Sequence, residues 1–491
     1  VPQINRESLR EQLSDLEAQY VALGKDKEIT PDTKALITSL LILLKLLCSI
    51  FLEKSTKKNA KNSSIPPSQS DPDNTSKSKG VTEKAGAKAG FEQEVSQNTR
   101  SRERIEILQV IECAVCGEDL EEVACTGNER RTLIDIVFEK VVLHQDAEIK
   151  TCPECNATTK GSFDAEMQGP LQYGVGLRAF VIHLLITQMV PIGRTLQTVG
   201  ALFGVVPSPA TLLNWITSLY HALEAWENEA VRRLLSSPVI NTDETSHRIS
   251  GSKWWVHVYS ADRITLKFLH KKRGQEAMNA FEIIAKYTGT LVHDCWASYL
   301  GYSHCQHALC GSHLLRELTF IIESNDYRWA KNMKKLLKAT ACRVARSKRK
   351  KLTKRQYANL EKNYKNILTR GESELPEEPV RSRGKRGRIA KSDAANLHER
   401  LIKYQTEVLR FAADAHVPFT NNRAERDLRM EKVKQKIAGC FRTVQMAHAY
   451  CRISSYLKTM AYHGVNPVIA IQYALSGSIP GWTDTIVAKA E

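Results

Sequence analysis

The feature that most constrains this chain is a series of β-prone segments between Pro238 and Cys310, punctuated by acids. Pro238 to Thr242 is short and β-prone and ends on Asp243-Glu244-Thr245. Trp254 to Tyr259 and Ile264 to Leu269 read as two more strands, and Gln275 to Tyr287 reads as a helix. Thr290 to His293 is a fourth strand that ends on Asp294, with Leu309 and Cys310 closing a fifth.

Three strands in a meander, a helix and a parallel-type strand ending in Asp form the opening half of a ribonuclease H-like α/β domain. Such a sheet sets the end of its first strand beside its fourth, so Asp243 and Asp294 are expected to meet although 51 positions apart. Two carboxylates at adjacent strand ends make an oxygen-ligand site for Mg²⁺ or Mn²⁺. A third acid is expected from a helix packed nearby, and Asn421-Asn-Arg-Ala-Glu425-Arg-Asp-Leu-Arg429 supplies one, with Thr420 or Asn421 as its cap. Glu425, Arg429 and Lys432 fall on one face of that helix, so Glu425 completes a metal cage while Arg426, Arg429 and Lys432 are candidates for holding phosphate oxygens. Each acid taken singly reads as a solvated surface group. Three acids at the positions that one topology requires outweigh that reading.

The 491 residues exceed one ordinary domain, and the fold class expected is multidomain α+β. Seventy Lys plus Arg against 54 Asp plus Glu give a net charge of +16, which favours a polyanionic partner, nucleic acid first. Twelve cysteines, four of them in two Cys-x-x-Cys pairs, and no secretory-type opening segment point to metal ligation in a reducing cytoplasm rather than a disulfide framework. Ala35 to Leu52 is almost wholly apolar, but Lys45 near its middle and Thr38, Ser39 and Ser49 dilute it, so no membrane span is expected.

Residues 1–54 are leucine-rich and helical: Leu9, Leu13, Leu16, Tyr20 and Leu23 repeat as in a coiled-coil seam, either for oligomerisation or for packing on the same chain. Residues 55–103 turn to Lys, Ser, Asn, Pro and Gly and read as a disordered basic linker. In 104–165, Cys113-Ala-Val-Cys116 and Cys152-Pro-Glu-Cys155 flank a strand-like run from Leu133 to Val142, and four thiolates brought together suit a structural Zn²⁺. Residues 166–236 read as helices, from Gly176 to Met189, from Thr195 to Phe203 ending at Gly204, and from a Ser208 cap with Pro209 in the first turn. The last two are either a DNA-binding helix-turn-helix or a plain helical hairpin. The catalytic domain is expected over 237–475 with a helical insertion at about 311–415, and 476–491 as a tail. The insertion is dense in cations, and its loop carries Arg381, Arg383, Lys385, Arg386 and Arg388, expected to track phosphates. His304, Cys305, His307, Cys310 and His313 offer ligand types for a second metal, although Cys305 and Cys310 read better as small core residues, with His307 or His313 near the cleft.

The chain resembles transposases of the insertion-sequence sixty-six family. The matching stretches are Asn62-Ser-Ser-Ile-Pro-Pro-Ser68, both Cys-x-x-Cys pairs, Asp243-Glu-Thr245, His307-Ala-Leu-Cys310-Gly-Ser-His313, and the Asn421–Arg429 motif. The resemblance implies a bacterial insertion-element enzyme of the DDE type. Asp243, Asp294 and Glu425 would be its triad, the zinc module and helix-turn-helix would bind element ends, and the leucine-rich start would promote homo-oligomers. It also implies target DNA, and accessory proteins of the same element, as partners. The chain departs from the family's pattern where Gly311 follows Cys310, where Glu317 follows Arg316, and from Lys436 to Thr443. Two alternatives use the same residues: a decayed copy or repressor that only binds DNA, and a nuclease that cuts without joining. Three intact acids favour the full enzyme.

Overall fold

The computed structural model describes residues 105–135, 138–167, 169–376 and 391–482, with a few positions between 15 and 44. The leucine repeat from Leu9 to Leu23, the 55–103 linker and the Arg381–Arg388 loop lie wholly or mostly outside the described residues.

The first strands among the described residues form a small hairpin of β1 (Ile149–Thr151) and β2 (Thr158–Lys160), in which Lys150 pairs with Thr159. The run from Leu133 to Val142 does not form the expected strand among its described residues. Leu133, Ile134 and Val141 are almost wholly exposed. An isolated strand without a ladder partner leaves its backbone groups unpaired, so apolar composition alone does not make one.

Helix α1 (Val175–Ile182) continues as a π-helical turn (His183–Thr187), followed by α2 (Ile192–Phe203) and α3 (Pro209–Ala222). Gly204 ends α2 at φ +63°, a conformation glycine adopts without strain. Ser208 starts α3, its hydroxyl accepting the Thr211 N–H at 3.1 Å with Pro209 behind it. These are the helix, glycine turn and capped helix that the sequence leads one to expect.

After α4 (Glu224–Leu235) come β3 (Val239–Ile249), β4 (Ser252–Ala261) and β5 (Ile264–His270), an antiparallel meander. Ser250 and Gly251, at φ +45° and +78°, make the tight turn between the first two strands. The expected single helix over Gln275–Tyr287 is two, α5 (Gln275–Ala280) and α6 (Ile283–Lys286), broken where Glu282 takes φ +58°. Then follow β6 (Thr290–His293), α7 (Ala297–Leu300) and β7 (Gln306–Leu309). Strand β6 runs parallel to the start of β3 and β7 runs parallel to β6, so the sheet order is β5-β4-β3-β6-β7.

Helices α8 (Gly311–Asn325), α9 (Arg328–Arg346), α10 (Lys354–Gly371), α11 (Asp393–Lys403) and α12 (Gln405–Ala413) follow β7. Their core holds Leu318, Trp329, Met333, Leu337, Tyr364 and Leu401, all buried. Thr353 and Gln356 form a capping box at the start of α10. The chain then supplies α13 (Asn422–Ala438), α14 (Val444–Tyr462) and α15 (Pro467–Leu475).

The described chain divides into two compact units. One contains Ala225–Lys436 and Cys440–Cys451, including the whole five-stranded sheet; the other contains the described residues from 105 to Glu224, Ile437–Gly439 and those from Arg452 onward. In the sheet unit, Val256 and Val258 pack with Ala424 and Leu428 of α13 and Ala447 and Cys451 of α14. In the other, Arg452 donates to the Tyr220 carbonyl at 3.0 Å and stacks on that ring at 4.0 Å. Among the described residues no helix is long and apolar enough to cross a membrane.

Candidate active site

Strand β3 does not stop at Thr242, as its hydrophobic run suggested, but continues seven residues further, to Ile249. Only Val239, Ile240 and Asn241 pair with β6, whereas Asp243 and beyond pair with β4 alone. The ladder therefore opens where both acids stand, because Asp294 immediately follows β6. Asp243 is opposite Val258 in the antiparallel register, so it shares the sheet face on which α13 packs. Glu425 lies in the first turn of that helix.

Each strand acid is oriented by a backbone donor. The Glu244 N–H donates to Asp243 Oδ1 at 2.9 Å and the Trp296 N–H to Asp294 Oδ1 at 3.1 Å. Burial, and then the charges of Glu244, Asp294 and Glu425, push the Asp243 carboxyl up to about 8, against the lowering effect of the Glu244 N–H. Asp243 thus feels the acids at the end of β6 and on α13, although the three carboxylates do not all come within 4.8 Å of one another. A divalent cation relieves that mutual repulsion, and three carboxylates are the hard oxygen donors that Mg²⁺ and Mn²⁺ prefer, so the residues fit such a group.

Helix α13 is held in place by polar groups that sequence reading missed. Thr420 or Asn421 was expected to cap the helix, and Asn421 stands just before it. Its carboxamide instead accepts from Asn241 Nδ2 at 2.9 Å and donates to the Thr242 carbonyl at 2.7 Å, tying the helix start to β3 beside Asp243. Asp427 accepts from Ser260 and Thr265 hydroxyls at 2.8 and 2.7 Å and from Arg423 at 3.1 Å. Glu431 pairs with Lys267 at 2.9 Å with both side chains buried. Arg426, Arg429 and Lys432 are exposed, free of these anchors.

Glu244 points to the opposite face of β3 from Asp243. It accepts from Arg273 Nε at 2.8 Å and from the Tyr299 hydroxyl, while Arg273 lies over the Trp296 ring at 4.1 Å. Burial raises its carboxyl more than Tyr299 and Arg273 lower it.

Of the other ligand-type residues, His307 is fixed between His293 Nε2 at 3.0 Å and the Tyr302 carbonyl at 2.8 Å, and His304 against the Ile284 carbonyl at 2.9 Å. Cys305 and Cys310 are buried. Cys310, His313 and Glu425, however, converge, with their ligand atoms all within 4.8 Å. Burial pushes the Cys310 thiol up, but His313, Ser312 and the Asn421 N–H together hold it below its ordinary value. Burial lowers His313, and Cys310 more than offsets this, so the imidazole lies above its usual range.

The two Cys-x-x-Cys pairs adopt the same turn. Cys113 N–H donates to the Glu118 carbonyl at 2.9 Å and Gly117 N–H to the Cys113 carbonyl at 3.0 Å; Cys152 with Ala157 and Asn156 with Cys152 repeat this at 2.9 Å each. The residue after each pair has positive φ, Gly117 at +75° and Asn156 at +55°. The Cys116 and Val115 N–H groups lower the Cys113 thiol, and those of Cys155 and Glu154 lower Cys152. Each turn thus holds its first thiol, Cys113 or Cys152, below the ordinary value. The four thiols do not gather into one cluster.

Residues 170–449 match the Transposase IS66 family. The chain belongs to this family. The match covers more than half of the 491 residues, includes Asp243, Asp294 and Glu425, and leaves out both Cys-x-x-Cys pairs. Among curated proteins none matches the chain. Membership in a transposase family makes DNA its partner and transposition its function.

Proposed function

We propose that this transposase binds the ends of an insertion element, cleaves them and joins them to target DNA with Mg²⁺ or Mn²⁺ held by Asp243, Asp294 and Glu425. The observation that carries the reading is that Asp243 and Asp294 stand where the β3–β6 ladder opens, with Glu425 in the first turn of the helix packed on that sheet face. The strand order β5-β4-β3-β6-β7, three strands antiparallel and two parallel, supports a ribonuclease H-like catalytic domain of the DDE type.

Cleavage and strand transfer are both in-line displacements at phosphorus, by water and by a 3′-hydroxyl. Bound divalent ions supply Lewis acidity at the phosphoryl oxygen and lower the pKa of the attacking hydroxyl. Asp243 would hold such an ion together with Asp294 and Glu425. Its carboxyl holds a proton near neutral pH until a cation replaces it. The Trp296 and Glu244 N–H groups aim the two strand acids, and the Asn421 bridge fixes where Glu425 enters. Arg426, Arg429 and Lys432 sit exposed on the same helix to take DNA phosphates, with Arg381, Arg383, Lys385, Arg386 and Arg388 adding a basic loop. No protein nucleophile is needed.

The paired turns at Cys113/Cys116 and Cys152/Cys155 support structural zinc. Helices α2 and α3 support a helix-turn-helix that reads end DNA. We place the protein in the bacterial cytoplasm as a homo-oligomer, with accessory proteins of its element as further partners.

The test is cleavage and joining of labelled element-end DNA by the purified chain with Mg²⁺. Asp243→Asn and Glu425→Gln are expected to lose about a thousandfold or more in rate while still shifting end DNA. A Glu425→Gln protein that cleaves at the parent rate would remove the triad.

A further inference from the structure

Cys310 stands at the N-terminal end of α8 and His313 lies one turn in, so both side chains reach the same side of that turn. Glu425 approaches them from the first turn of α13. Glu425 Oε1 is 3.9 Å from Cys310 Sγ and 3.6 Å from His313 Nδ1. Ligand atoms about 2.0–2.3 Å from a tetrahedral zinc stand roughly 3.3–3.8 Å apart, so these separations need little adjustment. His313 Nδ1 is buried without a hydrogen-bond partner, while the Cys310 sulfur is fixed by the Asn421 N–H at 3.1 Å. The His313 and Glu425 side chains keep 18% and 32% of their surface, which leaves an ion a way in.

A thiolate, an imidazole and one carboxylate are a poor set for Mg²⁺ and a good one for zinc-class ions. We propose that Cys310, His313 and Glu425 form a second metal site, specific for thiophilic divalent ions of the zinc class, which inhibits the enzyme by drawing Glu425 out of the magnesium cage. The inhibitory half rests on the transposase reading above; the binding half does not. Three protein ligands leave a fourth position for water. Because Glu425 is common to both sites, zinc-class and magnesium occupancy compete.

The test uses the full chain with the zinc of its purified state left in place. Titration with Co²⁺ is expected to add one equivalent with thiolate-to-cobalt charge-transfer absorption, absent in Cys310→Ser and weakened about tenfold or more in affinity in His313→Ala. Identical cobalt spectra and stoichiometry in all three proteins would overturn the site. Should Cys310→Ser fail to fold, His313→Ala alone decides it, because an unchanged cobalt affinity there is equally fatal. Zinc added to a magnesium-dependent cleavage reaction is expected to inhibit the parent protein at least tenfold at saturation, and each variant less than twofold relative to its own uninhibited rate. Cobalt binding without zinc inhibition would refute the sharing of Glu425. Absence of magnesium-dependent cleavage in the parent protein would instead sink the transposase reading, with the cobalt titration still deciding the site.

Discussion

Replacing Asp243 by Asn removes the cost of burying this carboxylate beside other acids. An unfolded Asp titrates near 4, whereas in the folded chain this carboxyl is pushed up to about 8, first by burial and then by Glu244, Asp294 and Glu425. Between those values the folded chain holds a proton that the unfolded chain has released, so stability without divalent cation is complete below about pH 4 and falls as pH rises toward about 8. Over the three units from about pH 5 to about pH 8, at about 1.36 kcal/mol each, the loss has a ceiling of roughly 4 kcal/mol, and relaxation of the acids and entry of counterions bring the expected value to about half of that. The assay is denaturant unfolding in chelator at intervals across this range, repeated with saturating Mg²⁺. The parent protein is expected to lose stability with rising pH in chelator and to regain it with Mg²⁺, most at the alkaline end. Asp243→Asn is expected to flatten the profile, to exceed the parent's stability at about pH 8 in chelator, and to gain little from Mg²⁺. A variant that keeps the parent's slope, or a parent indifferent to Mg²⁺, would refute the placement of the three acids around one cation site.

Three further outcomes rest on other contacts of the same fold. Lys267→Met leaves the Glu431 charge buried without its ammonium and is expected to cost about 3–5 kcal/mol in denaturant unfolding, while Lys267→Met with Glu431→Leu recovers most of it; equal losses in the single and double variants would contradict the pairing. Changing Arg426, Arg429 and Lys432 to Gln is expected to reduce the salt dependence of DNA binding by up to about 0.9 in log–log slope per lost phosphate contact, with end preference retained; a parent-like slope in gel-shift titrations would remove these cations from the interface. Cys113→Ser is expected to release bound zinc, measured by metal analysis of protein purified without chelator, and unchanged zinc content would exclude that thiol as a ligand.

The parts of the site that sequence made legible are those carried by local signals. Thr290–His293 is a short β-prone run, Thr290 and Val292 being β-branched, closed by an acid, and the strand ends one residue before Asp294. Ser208-Pro209 announces α3 because cap and first-turn preferences act within four residues. Long-range pairing was not legible. Asp243-Glu-Thr-Ser-His-Arg248 looks like the end of a strand because its hydrophobic run has stopped, yet pairing with β4 continues it to Ile249. Lys267 in β5 and Glu431 in α13 are 164 positions apart, and each alone reads as a solvated charge. The Leu133–Val142 run failed for the converse reason, since a strand-like composition met no ladder partner.

Helix α13 shows why such hidden charges matter to the site. In its first three turns only Ala424 and Leu428 are buried apolar residues, and a helix so charged would ordinarily be read as solvent-facing. Two small apolar contacts define its position on the sheet poorly, because a slide or rotation by one residue exchanges one modest burial for another. Asp427 and Glu431 remove that latitude. A one-residue shift would separate Asp427 from the Ser260 and Thr265 hydroxyls, leaving it only partners such as Arg423 of its own helix, and would part Glu431 from Lys267, leaving that buried carboxylate unpaired at about 3–5 kcal/mol. The Asn421 bridge to Asn241 and Thr242 pins the same helix at its start, two and one residues before Asp243 on β3. Glu425 lies between these fixed points, so its approach to Asp243 is set by polar anchors on both sides rather than by hydrophobic packing. The buried charges of α13 therefore act as a register device, and the position of the third acid is what that register specifies.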